Sequence, residues 1–488
     1  MSDSVSRRRF LGYLGGAAVG GASLALAACG SAGSGSANKP LTGGASSKLP
    51  AWLEAEAKPF NGHSLQVVQQ QQYFAQTDTD FVNACNMFGQ LTGTNITVST
   101  VNADAGTVIS KYDAAVKSGE VPDLLYFQGS RFPAALQQLG DLEPMDDLVK
   151  VLETRYGPMA DCNKINLNFK GHYWGSPYFA LASGWFARKD WLAEKGIKTT
   201  NLVQGKASLT DLRDMALEIS DPANQRYGWG VTYNNSGDGA GFLLSVIEAY
   251  GGAIADDTGT KVVFNSSETV EAVTFLHDLY TNSKYQKMLP PGVSGWGDTS
   301  NNQAWLAGLI GFTANQYSLY AQSFSVQNPV YGETLTFPGF TGPAISEVNN
   351  VGDCQAFMIL KGAKEAGLAK VLAKYLSFGE PLLQMVKDSV GQVLPAYNDI
   401  WSSNKYYLHG DQAFKGQYAT LTEKLPIVSK TGYHFPQAPS AGQQAVQNGY
   451  LLNQMMGQVI QGKASPKEAV TSTNQQMIQL FTQQGLSQ

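Results

Sequence analysis

Charge is scarce in this chain. Of 488 residues only 15% are Asp, Glu, Lys or Arg, and the formal balance is slightly acidic at −5. Binding nucleic acid needs clustered Lys and Arg to neutralise phosphates, and past the N-terminus no basic cluster occurs. Cysteine is almost missing as well: there are four, with no C-x-x-C pair, which removes the common zinc and dithiol frameworks. The five histidines are scattered and form neither H-E-x-x-H nor H-x-H, so no metal is expected. Gly205-Lys206 and Gly462-Lys463 are followed by Ala207 and Ala464, not by the hydroxyl that completes a phosphate-binding loop. Asp257-Thr258-Gly259 spells the aspartic-protease tripeptide once only, and in ADDTGTK it reads as a turn. After residue 28 no apolar run reaches membrane length. No cofactor is called for, and nothing points to nucleic acid.

What is present begins at the N-terminus. Arg7, Arg8 and Arg9 precede an apolar stretch, rich in Gly and Ala, from Leu11 to Ala28. A basic start, an apolar middle and small residues at the exit are the layout of an export signal. SRRRFL (6–11) resembles the twin-arginine signal, and LAAC (26–29) resembles the bacterial lipobox. The resemblance implies that residues 1–28 are removed and that Cys29 receives a lipid and anchors the protein outside the cytoplasm. Residues 29–58 then serve as a tether, starting with a Gly/Ser stretch that needs no fold. Residues 1–28 hold three Arg and one Asp, so the remaining chain carries two more net negative charges. Polar work in that body falls to neutral groups: 22 Tyr, 22 Phe and 8 Trp stand beside many Gln and Asn. Such a surface suits a neutral, hydroxyl-rich ligand better than an ion. Cys85, Cys162 and Cys354 allow at most one internal disulfide, and whether one forms stays open. Cys85 shares a helical face with Phe81, Phe88 and Leu91 and reads as a small core hydrophobe.

Hydrophobic periodicity gives alternating elements. Ser64–Gln69 reads as a strand, Thr79–Leu91 as a helix ended near Gly93, and Ile96–Val98 as a strand. Thr107–Lys117 reads as a helix stopped by Gly119, and Asp123–Phe127 as a buried strand. Further on, LTDLRDMALEI, GFLLSVIEAYGG and ETVEAVTFLHDLYT read as helices, YGWGVTY and QAFMILKG as strands, and AGLAKVLAKYLSF and PLLQMVKDSVG as a helix pair. Strands alternating with helices of this length imply parallel βαβ units, hence an α/β protein. About 460 residues suffice for two sizeable lobes.

Several stretches together resemble one family, the extracellular solute-binding proteins of ABC transporters in the maltose-binding-protein-like, carbohydrate-associated group. They are LTGTNITV (91–98), VKSGEVPDLLYF (116–127), LGDLEPMDDL (139–148), KGHYWGSPYFALASGWFARKDWLAEKGI (170–197), AYGGAIADDTGTKVVFNSSETVEAVTFLHDLY (249–280) and AWLAGLIGFTANQYSLYA (304–321). No one motif is specific; their order and spacing are. The resemblance implies a two-lobe, type II periplasmic-binding fold with the ligand in the cleft. Residues 59–180 plus 356–393 form lobe 1, and 184–351 plus 397–488 form lobe 2. Three crossings lie near Ala180–Gly184, Val351–Gln355 and Val393–Tyr397. It further implies a monomer that hands a small carbohydrate to transmembrane permease subunits and performs no catalysis.

Carried onto this sequence, the resemblance nominates ligand contacts. Gln72 and Tyr73 follow the first strand. Arg131 falls on an arginine that holds sugar hydroxyls in maltose-binding relatives. Ser130 replaces the acid beside it, and Leu181 replaces a second acid. Tyr178 and Trp185 flank the first crossing. Tyr233, Trp296 and Tyr317 are the aromatic candidates of the second lobe, since sugar C–H faces pack on aromatic faces. Asp353 is the one acid expected to face the cleft. The two lost acids speak against a polyamine, and a sugar phosphate would want more cations than Arg131. A secreted carbohydrate-active hydrolase is the rival class, needing two suitably spaced carboxylates.

Overall fold

A computed structural model describes residues 48–102, 105–181, 183–346, 352–389, 392–403 and 438–486. Cys29, the export signal and most of the tether lie outside the described residues, as do Val351 of the second expected crossing and residues 404–437 of the expected second lobe. Among the described residues no helix is long and apolar enough to cross a membrane.

Two sheets organise the chain. The first has six strands in the order β12-β6-β11-β3-β1-β2. These are β1 (Ser64–Gln70), β2 (Asn95–Val101), β3 (Leu124–Gln128), β6 (Ser176–Leu181), β11 (Asp353–Met358) and β12 (Val393–Pro395). The second has four in the order β10-β7-β9-β8: β7 (Ser183–Arg188), β8 (Tyr227–Trp229), β9 (Ile310–Gln316) and β10 (Thr334–Phe337). A two-stranded hairpin, β4 (Asn168–Phe169) with β5 (His172–Tyr173), stands apart. Only one residue separates β6 from β7, so the chain passes from one sheet straight into the other.

The parallel expectation holds for part of this. β1 pairs in parallel with β2 and β3, and β8 with β9. β11 runs antiparallel to both its neighbours, β3 and β6, and β12 antiparallel to β6, so β6 keeps the direction of β1–β3; β7 is antiparallel to β9 and β10. β6 leaves this sheet for the other, and β11 comes back from there, entering without a crossover that would return it to the starting end of β6.

The first long helix, α1 (Ala75–Thr92), starts a turn earlier than periodicity indicates and ends where Gly93 takes a left-handed conformation, φ 70°. Such a conformation favours glycine. α1 packs on α5 (Gly379–Asp388). β6 is buried on every residue, SPYFAL, the mark of a strand covered on both faces. One core lies on the six-stranded sheet and runs on to Phe186, Trp305 and Tyr317; a second fills the four-stranded half around Trp185, Trp229 and Phe242. Cys85 lies in the first core, fully buried. Cys85, Cys162 and Cys354 are all free thiols, so no disulfide joins them.

Three further helices shape the space between the sheets. α2 (Gly237–Ala249) is capped by Ser236, whose hydroxyl accepts from the Gly239 N–H at 3.0 Å. A Cβ at Gly239 would sit 2.7 Å from the Asn234 carbonyl, so only glycine lets this turn close. α3 (Ser300–Leu306) and α4 (Ser318–Ser325) flank β9. Near the C-terminus, α6 (Ala441–Asn448) and α7 (Leu451–Ile460) are joined by Gly449 and Tyr450. Tyr450 holds φ 52°, a conformation that L-residues with bulky side chains rarely take.

Candidate functional site

A cavity of about 290 Å³ opens between the two sheets. Its first wall comes from the carboxyl ends of β1 and β3, where ligand sites of open α/β sheets form. Gln70 ends β1 and Gln71 to Tyr73 follow it, Gln128 ends β3 and Arg131 follows it, and Asp353 and Gln355 of β11 complete the wall. The opposite wall is Ser183–Trp185 of β7, Ala314–Gln316 of β9, the start of α2, and Asp298, Thr299 and Asn302. Gln447 and Tyr450 close one side.

Amides dominate the lining. Eight glutamines line the cavity: 70, 71, 72, 128, 316, 355, 392 and 447. Several are tied in a chain. The Tyr126 hydroxyl donates to the Gln355 carbonyl, and the Gln355 amide donates to Gln72 Oε1. Gln72 Nε2 donates to the Gln70 main-chain carbonyl at 2.6 Å, while Gln70 Oε1 accepts from the Gln128 N–H at 3.1 Å. Each amide carries both donors and an acceptor, so a wall of linked amides presents fixed hydrogen-bonding positions without net charge.

Asp353 is the fixed point of the first wall. Its buried carboxylate accepts from the Ser130 N–H (3.1 Å), the Ser130 hydroxyl (2.8 Å), the Cys354 N–H (2.7 Å) and the Gln128 amide. Burial pushes its pKa up, and these bonds pull it back. Ser130 thus stands behind the lining, 1% exposed, and acts on the cavity by holding Asp353. Arg131 is oriented from the C-terminal helices: Nε donates to Asn448 Oδ1 at 3.2 Å and Nη2 to the Tyr450 hydroxyl at 3.4 Å. Tyr73 reaches the other wall, donating to Gln322 Oε1 at 2.8 Å and accepting from Asn302 Nδ2 at 3.0 Å. Burial, chiefly, raises its pKa, with a smaller push from the charge of Asp238.

Five of the sequence candidates, Gln72, Tyr73, Arg131, Trp185 and Asp353, line one cavity. Trp185 does so from within the second core, packed on Trp229, Phe242 and Phe340. Four aromatics sit elsewhere. Tyr178, on the doubly covered β6, lies among Phe81, Tyr126 and Phe357. Tyr317 is wholly buried against Phe186 and Tyr320. Tyr233 is buried against Tyr280 at 4.7 Å. Trp296 packs on the first core. Their large apolar area is better buried than exposed to a polar cavity.

The expectation that Asp353 is the one acid at the cleft needs correcting. Asp238 and Asp298 line the same cavity. The Asp238 N–H donates to Asp298 Oδ1 at 3.1 Å, and Asn301 Nδ2 donates to Asp238 Oδ2 at 3.0 Å. Burial, then the nearby charge of Asp298, pushes the Asp238 carboxyl up to about 8. Sequence reading looked for acids where relatives of the resembled family keep them, at 130 and 181, and the pair stands in the opposite wall. Gln447 and Tyr450 were missed as well; the C-terminal segment carries no motif that ties it to a cleft. Among the described residues no cluster of three or more His, Cys, Asp or Glu could hold a metal ion.

The profile of the bacterial extracellular solute-binding proteins matches residues 69–378. None of the curated proteins matches the sequence. Among solved structures, a solute-binding protein of a Thermotoga lettingae ABC transporter, bound to α-D-tagatose, is similar with a TM-score of 0.68 at 17% identity, covering 86% of this chain and 100% of that one. The maltose-bound MalE3 of T. maritima gives 0.69 at 18%, with the same coverage. A sugar transporter protein of Arthrobacter chlorophenolicus with laminaribiose gives 0.66 at 14%, covering 85% and 99%. At such identities the likeness shows the fold alone, the α/β periplasmic-binding-protein fold. The chain belongs to the bacterial extracellular solute-binding protein family.

Proposed function

We propose that the protein is the receptor of an ABC importer, binding a hydroxyl-rich sugar or oligosaccharide in the cavity between its sheets and passing it unchanged to a membrane permease. The observation that carries this reading is the amide wall. Eight glutamines together with Asn302 and Asn315 line one cavity, and linked amides match the alternating donors and acceptors of sugar hydroxyls. Trp185 and Tyr73 offer aromatic surface for C–H faces. The sugar ligands of the three similar structures support the same class.

On this reading the two sheets belong to two lobes joined by three crossings, and the cleft closes on ligand by a hinge motion. Gln72, Tyr73, Arg131, Trp185 and Asp353 act at the ligand, and Ser130 acts through Asp353. Cys29 carries the lipid that keeps the receptor beside its permease. Cys29→Ala should release the protein from membranes into the medium; unchanged membrane retention on fractionation would remove the anchor. The binding reading itself is tested by titrating the mature chain with maltose, laminaribiose and tagatose and recovering the sugar. A cleaved sugar would shift the assignment to a hydrolase.

A further inference from the structure

The cavity is not electrically neutral. Its lining carries Asp238, Asp298 and Asp353 against a single cation, Arg131. Asp353 is satisfied by four donors from the protein. Arg131 is held by Asn448 and Tyr450 at the C-terminal helices. That leaves Asp238 and the exposed Asp298, linked through the Asp238 N–H, which form no ion pair among the described residues.

Acceptors also outnumber donors there. One oxygen of each carboxylate is used, Asp238 Oδ2 by Asn301 and Asp298 Oδ1 by the Asp238 N–H. Elsewhere in the same lining, where its side-chain nitrogen lies 3.5 Å from the Ser130 hydroxyl, Gln447 adds a further acceptor. It is 9% exposed, and its Oε1 is buried in the cavity lining with no hydrogen-bond partner. A buried amide oxygen left unpaired is costly, and a ligand N–H or O–H would complete it. The half-exposed ring of Tyr73 lies within electrostatic reach of Asp238, and an aromatic face attracts a cation.

We propose that the ligand is a sugar carrying a protonated amine, and that Asp238 and Asp298 receive the ammonium while the amide wall holds the hydroxyls. This rests on the receptor reading and narrows it. An ammonium brings three donors and a positive charge to a place that has spare acceptors and two carboxyl groups. A neutral sugar supplies the donors but brings no charge to the two carboxyl groups. With no ammonium present the pair relieves its repulsion by keeping a proton on Asp238, whose pKa stands at about 8. Binding at pH 7 would then expel that proton. Besides Asp298, the titratable groups facing this place are Tyr73, and across the cavity Asp353, Arg131 and Tyr450.

The test is calorimetric titration of the mature chain with glucosamine oligomers, their N-acetylated counterparts of equal length, maltose, and spermidine, in two buffers of different ionisation enthalpy. Free-amine oligomers should bind at least tenfold tighter than the acetylated ones and release protons at pH 7, at most about 0.9 per site for a carboxyl near 8 and less by the fraction that the partly neutral amine takes up on binding as ammonium. Asp238→Asn should abolish that release, and Asp298→Asn should shrink the amine preference. The comparison of amine with acetylated ligand on the unaltered chain needs no variant, so a misfolded variant cannot rescue the proposal. Acetylated or neutral sugars binding as tightly as the amines, or no amine probe binding, overturns it. In that case binding of maltose would leave the receptor reading standing. Spermidine as the sole binder would keep the ammonium contact and overturn its sugar half, and with it the sugar-receptor reading.

Discussion

Tyr73 is where the two walls of the cavity meet most directly, and removing its hydroxyl alone isolates that contact. In Tyr73→Phe the ring stays and two hydrogen bonds go, one to Gln322 Oε1 and one from Asn302 Nδ2. A neutral hydrogen bond contributes roughly 0.5–1.5 kcal/mol net. The residue is 40% exposed, so water replaces part of what is lost, and the pair together is worth about 1 kcal/mol. Asn302 keeps its bond from Asn315 at 2.6 Å, so the far wall holds its shape. If ligand binds the arrangement in which Tyr73 spans the cavity, that destabilisation passes into the affinity. The dissociation constant should rise about fivefold, mainly through faster release. Tyr73→Ala also deletes the ring and should weaken binding by at least a further factor of about ten. Calorimetry and stopped-flow release with the same sugar measure both. A phenylalanine variant that binds and releases as the unaltered chain does, beside an alanine variant that fails, would refute the bridging argument and leave only ring contact.

Two other consequences concern the frame that holds the site. Asp80 on α1 is buried and accepts from Gln76 Nε2 at 2.9 Å; burial, then its neighbour Asp388 on α5, raises its pKa to about 7. A carboxyl raised in the folded state stabilises when protonated, fully so below the ordinary value near 3.8, and that contribution is lost as pH rises through about 7. The melting temperature should therefore fall between pH 6 and 8, with roughly 1 kcal/mol of the loss coming from Asp80 and a larger share from Asp238, raised to about 8, so Asp80→Asn should reduce the slope without removing it; a variant with the same slope would contradict the assignment. At Gly129, between Gln128 and Ser130, an added Cβ would lie 2.3 Å from Cys354 Sγ and 3.2 Å from a Leu167 methyl. Gly129→Ala should destabilise by about 1–3 kcal/mol through overpacking and displace the loop carrying Arg131, read as a lower urea midpoint and weaker sugar binding; an unchanged midpoint would show the loop free to shift.

How much of this was legible in the sequence depends on what each residue answers to. Long periodic segments such as Ser267–Thr281 carry their own signal, because one face must be buried. Ends were less certain: α1 begins at Ala75 without a capping side chain, so nothing local marked it. Strand direction was legible only where a helix follows a strand and returns. That β6 runs into β7 in another sheet is a tertiary fact with no local mark beyond the family resemblance. Among candidate contacts, residues on loops after β1 and β3 reached the cavity because the sheet places its strand ends there. Tyr178 and Tyr317 did not, since a tyrosine within a buried strand or at the foot of a buried helix looks the same in sequence as one lining a cleft. Asp238 stayed hidden for a different reason. It lies in SGDGAG, which reads as a helix cap, and its partner Asp298 is 60 residues away.

The measurement that bears most directly on the account is a thermal-shift screen of the mature chain against neutral sugars, amine-bearing sugars, sugar phosphates and polyamines, with chemical recovery of whatever binds. A ligand at 100 times its dissociation constant stabilises by about 2.7 kcal/mol, a readable shift for a chain of this size. The account predicts that a sugar raises the midpoint and comes back intact. A midpoint moved only by a sugar phosphate or another non-sugar solute, or a sugar returned cleaved, would contradict it.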